Sequence, residues 1–262
     1  MYTVDVNKKF KYILVLVIFL VLLGLLGWHF KQTKPKSSTS VTVVKSTQTT
    51  PPTTTTTPTG FNKQQYSVDQ PGSLWWIVNK KRALPTGYIP PDLVVPNVPL
   101  RLAASAEQMH LRKDVATNVE ILFAAAKAAG YPLTLASGYR SAAYQAQLYN
   151  GYVASDGQAA ADRSSAKPNT SEHQTGMAMD VCASGTNCDL VQSFGDTPTG
   201  KWIAANSYKY GFIVRYLNGK EGITGYEYEP WHIRYVGIPL ATELYNNGQT
   251  MEEFFGVGSG AL

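Results

Sequence analysis

Cysteine is scarce in this chain. Two residues in 262 are too few for a disulfide-built miniprotein or for a zinc module held by four thiolates. Charge is sparse as well: charged residues make up 16% against 44% apolar. There is enough apolar material for a sizeable core, and wholesale disorder is excluded. A basic face is also missing from most of the chain. The formal net charge of +5 is concentrated in residues 1–60, where Lys8, Lys9, Lys11, Lys31, Lys34, Lys36 and Lys45 are opposed by Asp5 alone. The rest is close to neutral, which argues against a nucleic-acid partner read through its phosphates. No internal repeat is visible. At roughly 100–200 residues per domain, the length suits one good-sized domain or two small ones.

One long hydrophobic run is present. Tyr12 to Phe30 reads YILVLVIFLVLLGLLGWHF, with His29 its only strongly polar residue. Such a run rises about 28 Å as a helix, close to the thickness of a bilayer core, and Trp28 and Phe30 sit where interfacial aromatics belong. A cleaved signal peptide is the competing reading, but GWHFKQTK follows Leu26 without a small-residue cleavage site. Lysines flank both sides, so charge leaves the orientation open. The stretch PPTTTTTPTG (51–60) decides it: such a segment cannot bury enough surface to fold and acts as an extended spacer. An anchor followed by a Thr/Pro stalk suits an outward-facing protein. The expected organisation is a cytoplasmic N-terminus over 1–11, a single membrane span over 12–30, an extracellular stalk over 31–65 and a folded domain over 66–262 on the cell-wall side of the membrane.

The domain begins between Phe61 and Ser73. Residues 71–100 are rich in proline and aromatics and read as irregular chain on the surface of the core. From Asp114 to Ala129, the residues Val115, Val119, Leu122, Phe123 and Ala126 recur at helical spacing, with Gly130 after the end. Strands are expected at Leu133–Ser137, Met177–Cys182, Phe212–Tyr216 and Trp231–Val236, and helices at Ser141–Val153 and Thr199–Tyr210. Pro239 and the capping box Thr250-x-x-Glu253 mark two late helices. Strands and helices mix without regular βαβ alternation, so the fold class is α+β: a small central antiparallel sheet with flanking helices.

Of the three histidines after the stalk, His110 stands in a polar stretch and is assigned no role. The other two sit in dense runs: Ser171-Glu-His173-Gln-Thr-Gly176-Met-Ala-Met-Asp180 and Glu227-Tyr-Glu229-Pro-Trp231-His232-Ile-Arg234. A loop turning at Gly176 into a strand can return His173 and Asp180 to one point. Imidazole and carboxylate are ordinary zinc ligands, and His232 would supply a third, leaving one position open as catalytic zinc sites do. Glu229, held extended before Pro230, can then act as the base for a water at the metal. A surface ion pair of Glu229 with Arg234 is the plainer alternative. In Ser137-Gly138-Tyr139-Arg140-Ser141, Gly138 permits a tight turn, and Arg140 is either a surface arginine or a group that binds a substrate carboxylate or developing oxyanion.

These three runs, in this order, resemble the zinc D-alanyl-D-alanine carboxypeptidases of the VanY type and the related L,D-carboxypeptidases of the LdcB/DacB type. The resemblance spans about residues 100–245. It implies a hedgehog-like α+β fold, one Zn2+ per chain held by His173, Asp180 and His232, Glu229 as catalytic base, and Arg140 facing the substrate carbonyl. Ser141, Gln145 and Ser171 match positions that hold the terminal D-residue of the peptide, and Trp231 belongs with them. It further implies that the substrates are peptidoglycan stem peptides, from which the C-terminal D-alanine is released. Alternatives are an L,D-carboxypeptidase acting on tetrapeptide stems, a peptidoglycan endopeptidase, and a wall-binding module with a structural zinc. Intact Glu229 and Arg140 count against the last.

Cys182 and Cys188 are not part of that signature. They flank Ala-Ser-Gly-Thr-Asn, a turn-rich loop that could close as a disulfide in an oxidising compartment. Free thiols, and more remotely a thiol zinc site, are the alternatives.

Overall fold

The structure, a computed structural model, describes residues 60–261. The expected cytoplasmic segment, the membrane span and nearly all of the stalk lie outside the described residues. Among those described, no helix is long and apolar enough to cross a membrane.

The described chain alternates irregularly between short strands and helices. A two-residue ribbon, β1 (Leu93–Val94) with β2 (Leu111–Arg112), precedes helix α1 (Lys113–Ala128). There follow β3 (Leu133–Ser137), α2 (Ala142–Asp156), α3 (Gln158–Ser164), β4 (Ala178–Ala183), α4 (Pro198–Asn206), β5 (Phe212–Tyr216), the single turn α5 (Glu221–Thr224), β6 (Glu229–Tyr235), α6 (Ile238–Asn247) and α7 (Met251–Phe255). Strands β3, β4, β6 and β5 form one sheet in that order, every neighbour antiparallel.

Local signals explain most boundaries. α1 buries Val115, Val119, Leu122, Phe123 and Ala126, the stripe set by its 3.6-residue period. Ser141 caps α2 by accepting from the Tyr144 amide at 3.1 Å. α7 carries a complete capping box between Thr250 and Glu253. The expected helix to Tyr210 is instead α4 followed by a 3-10 turn over Ser207–Tyr210.

Alternation along the strands divides the sheet into two faces. Met179 and Val181 of β4 and Ile233 of β6 pack with α1 in the main core. Asp180 and His232, directly paired across the two strands, point to the opposite face. Backing this arrangement with a rigid apolar layer fixes where the polar side chains project.

Most of the Pro-rich segment is irregular chain on the surface of the core, as expected, but one stretch of it is not. Trp75, Trp76, Ile77 and Val78 are all buried and split between the two main clusters. Trp76 and Val78 join α1, and Trp75 and Ile77 join α6 and α7. The indole of Trp75 donates to the Val236 carbonyl at 2.9 Å, so its one polar atom is satisfied inside. Burying Ile77 and Val78 contributes about 1.5–3 kcal/mol each. Packed chain is present from Phe61, at the near end of the range expected for the domain start. Phe61 stacks on Trp75 and meets Phe254 edge-on, both at 5.4 Å, and Lys63 bonds the Phe254 carbonyl.

Candidate active site

The polar face of the sheet floors a cleft of about 670 Å³. His173, Asp180, His232, Glu229 and Arg140 all line it. They arrive from four pieces of local structure. His173 lies in the 3-10 turn Glu172–Thr175, which ends at Gly176 with φ +68°, a left-handed conformation that favours glycine. The chain then enters β4 and delivers Asp180. His232 comes from β6. Glu229 opens that strand, where the register against β5 slips between Val214 and Tyr216. Pro230, which has no amide to give the ladder, falls in the slip.

The ligand atoms of His173, Asp180 and His232 lie within 4.8 Å of one another. Asp180 Oδ1 is 3.4 Å from His173 Nε2 and 3.1 Å from His232 Nδ1. A tetrahedral zinc with ligands at about 2.0–2.1 Å needs donor atoms about 3.3 Å apart, and the two separations from Asp180 are close to that. The donors are also oriented for it. His173 Nδ1 donates to the Gly138 carbonyl at 2.7 Å, which leaves the lone pair on Nε2, a buried atom without a hydrogen-bond partner. A buried imidazole nitrogen with no partner is costly unless something else occupies it. A divalent cation fits.

The Gly138 carbonyl reaches His173 because the loop before α2 packs tightly on the chain around His110. A Cβ on Gly138 would meet the His110 carbonyl oxygen at 2.5 Å. Close approach, and not the turn expected from sequence, is what requires glycine there. His110 contributes that carbonyl and nothing to the cleft.

Electrostatics separate the groups. Burial and the Arg140 guanidinium lower His173 to about 4, so it is neutral at physiological pH. Burial alone would lower His232, but the neighbouring carboxylates of Asp180 and Glu172 outweigh it and raise it to about 9. For Asp180, burial is outweighed by the two histidines, and its carboxyl is held well below the usual range. Glu229 goes the other way: burial pushes its carboxyl up to about 7. A carboxyl poised near neutral pH in a cleft is suited to take up and return a proton. Glu229 Oε2 stands 3.8 Å from His232 Nδ1. Its expected alternative partner, Arg234, is fully buried elsewhere and bonds Glu172.

Arg140 enters the cleft from the loop before α2, its Nη2 3.8 Å from Asp180 Oδ2 and its Nε buried without a partner. Gln145 donates through Nε2 to the Ala166 carbonyl and leaves Oε1 unsatisfied in the cleft. Ser171 and Trp231 also line it. Ser141 does not. Its hydroxyl accepts from the Tyr144 amide as the cap of α2 and donates to Glu107. Cys182 and Cys188 are joined in a disulfide, Cα atoms 5.2 Å apart. It ties the end of β4 to the loop that carries Leu190, Val191 and Gln192 along one wall.

Fold and site together define a metallopeptidase of the zinc carboxypeptidase class. The profile of the VanY D-alanyl-D-alanine carboxypeptidase family matches residues 108–238, and the chain belongs to that family. YodJ of Bacillus subtilis (strain 168), a carboxypeptidase by designation, is 43% identical over 189 residues, which cover 72% of this chain and 69% of YodJ. Among solved structures, the LdcB LD-carboxypeptidase is 44% identical with a TM-score of 0.67, covering 71% of this chain and 87% of that one. The zinc complex of the vancomycin-resistance D,D-pentapeptidase VanY is 34% identical with a TM-score of 0.57, covering 68% and 96%. This chain is accordingly a zinc metallocarboxypeptidase.

Proposed function

We propose that the protein is anchored in the cell membrane by residues 12–30, carries its catalytic domain on the outer, cell-wall side, and removes the C-terminal D-alanine of peptidoglycan stem peptides. The observation that carries the reaction is the convergence of Glu229 and Arg140 on the His173–Asp180–His232 cluster, inside a cleft large enough for a short peptide.

His173 Nε2, an Asp180 oxygen and His232 Nδ1 would hold the zinc. When bound, zinc supplies Lewis acidity, polarising a carbonyl and bringing the pKa of a water it holds to near 7. The chain's own groups do the rest. Arg140 binds the scissile carbonyl and stabilises the negative charge that develops on its oxygen. Glu229 takes a proton from the attacking water as the new C–O bond forms. It returns that proton to the nitrogen of the leaving D-alanine as the C–N bond breaks. The unsatisfied Oε1 of Gln145 offers an acceptor to a substrate N–H, and Ser171 and Trp231 also line the cleft.

A second reading keeps the chemistry and changes the stem. The greater likeness to LdcB than to VanY favours a tetrapeptide stem cut at an L,D bond over a pentapeptide cut at a D,D bond. The location outside the membrane is supported by the apolar run, the Thr/Pro stretch and a disulfide that suits an oxidising compartment. Incubating the purified enzyme with defined tetra- and pentapeptide stems and identifying products by mass tests the reading. Loss of one alanine from either stem is expected. Cleavage at an internal bond, or none, would refute it.

A further inference from the structure

Glu172 lies between Ser171 and His173, and no local pattern marks it. Its carboxylate is fully buried, as are both guanidinium groups that bind it. Oε1 accepts from Arg215 Nε at 2.8 Å and from Arg234 Nη1 at 2.9 Å. Arg215 is held in turn by Glu252, Nη1 to Oε2 at 2.8 Å and Nη2 to Oε1 at 2.6 Å. Arg234 Nη2 donates to the carbonyls of Leu74 and Trp76. One oxygen of Glu172 is thus saturated by two immobilised cations. The other, Oε2, has no hydrogen-bond partner and stands 3.5 Å from His232 Nε2, which has none either. Tyr216 stacks on the His232 ring, centroids 4.8 Å apart, so the imidazole can present only its edge to the carboxylate.

We propose that Glu172, clamped by Arg215 and Arg234, is the positioning residue of the metal site. It holds the Nε2 proton of His232, so that the Nδ1 lone pair faces the metal. The inference rests on the reading of His232 as a zinc ligand through Nδ1. Two observations make it specific. The carboxylate is fixed by groups on β5 and β6, so it does not follow the imidazole but directs it. An acceptor opposite Nε2 also selects the one tautomer whose free lone pair points at Asp180 and His173. Partners of this kind on the far nitrogen of a metal-binding histidine typically change metal affinity 10–100-fold when removed.

Glu252 supplies the control, because it belongs to the same buried cluster but does not touch His232. The measurement is the zinc dissociation constant of the full-length protein, by competition with a chromophoric chelator. It is made for wild type, Glu172→Gln, Glu172→Asp, Glu252→Gln and His232→Ala, with thermal unfolding of each metal-free protein alongside. Glu172→Asp retains the charge that Arg215 and Arg234 need, and so guards against a variant that fails to fold, but withdraws the oxygen from His232. Both Glu172 variants should bind zinc about 10–100-fold more weakly. Glu252→Gln should lower the melting temperature and leave affinity within about threefold of wild type. Wild-type affinity in Glu172→Asp, with affinity lost in His232→Ala, would overturn the positioning role and leave the ligand assignment standing. Equal weakening in Glu252→Gln and the Glu172 variants would overturn it too, since the effect would then belong to the cluster as a whole. Unchanged affinity in His232→Ala would overturn the ligand assignment and the positioning role together.

Discussion

Replacing Arg140 with alanine removes a group whose two possible roles have different kinetic signatures. The side chain is largely buried at the cleft floor, with Nε free of any partner and Nη2 3.8 Å from Asp180. A guanidinium in that position has donors to spare for a carbonyl oxygen that gains charge. Loss of one such donor costs about 10²–10³-fold in turnover, about 2.7–4 kcal/mol. The metal should not leave with it. Arg140 is a cation beside Asp180 and lowers the proton affinity of His173, so its removal makes both better partners for a divalent ion. The assay is steady-state release of D-alanine from a defined stem peptide, with zinc content measured on the same samples. Arg140→Ala should lower kcat by at least about 10²-fold at about one zinc per chain, and lysine should restore little because it lacks the planar fork. A variant with wild-type kcat and a raised KM would place Arg140 in ground-state binding and refute the reasoning.

Three further predictions follow from particular features. Replacing both Cys182 and Cys188 with serine opens a loop of six-residue separation and should cost about 2 kcal/mol by the chain-entropy relation. Chemical denaturation reads this, and an unchanged midpoint would refute it. Gly138→Ala places a methyl against the His110 carbonyl and should displace the acceptor of His173 Nδ1. Zinc affinity should fall about 10-fold or more in chelator competition, and wild-type affinity would show that the carbonyl is dispensable. Protease added to intact cells should release a fragment beginning near residues 50–60, just before the packed Phe61. A domain protected until lysis would reverse the proposed orientation.

The sheet and the cluster were legible in sequence to different depths. Helix α1, the capping box and the four strands of the main sheet carry periodic or capping signals that act within a few residues, and these were readable. The convergence of His173, Asp180 and His232 could be anticipated because Gly176 marks a turn between two of them and the third lies in an alternating strand. Trp75–Val78 was misplaced because proline and glycine around it signal irregular chain, whereas burial depends on what α1, α6 and α7 leave uncovered. Helix α3, over Gln158–Ser164, is short and alanine-rich, with no apolar stripe to reveal it. Resemblance alone points Ser141 to substrate, and its position before α2 also suits a cap. Glu172 was missed for a different reason. Its partners Arg215 and Arg234 lie 43 and 62 residues away, and nothing local distinguishes a buried glutamate from an exposed one.

The claim that matters most is that Glu229 moves the proton while His173, Asp180 and His232 hold the metal. The two roles separate by mutation, because Glu229 neighbours His232 without belonging to the ligand cluster. The direct measurement is zinc stoichiometry and stem-peptide hydrolysis on the same preparation of Glu229→Ala. Glu229→Ala should fold and hold about one zinc per chain, since the three ligand residues remain, and should lose nearly all activity for want of a base. Hydrolysis by Glu229→Ala at close to the wild-type rate would contradict the claim.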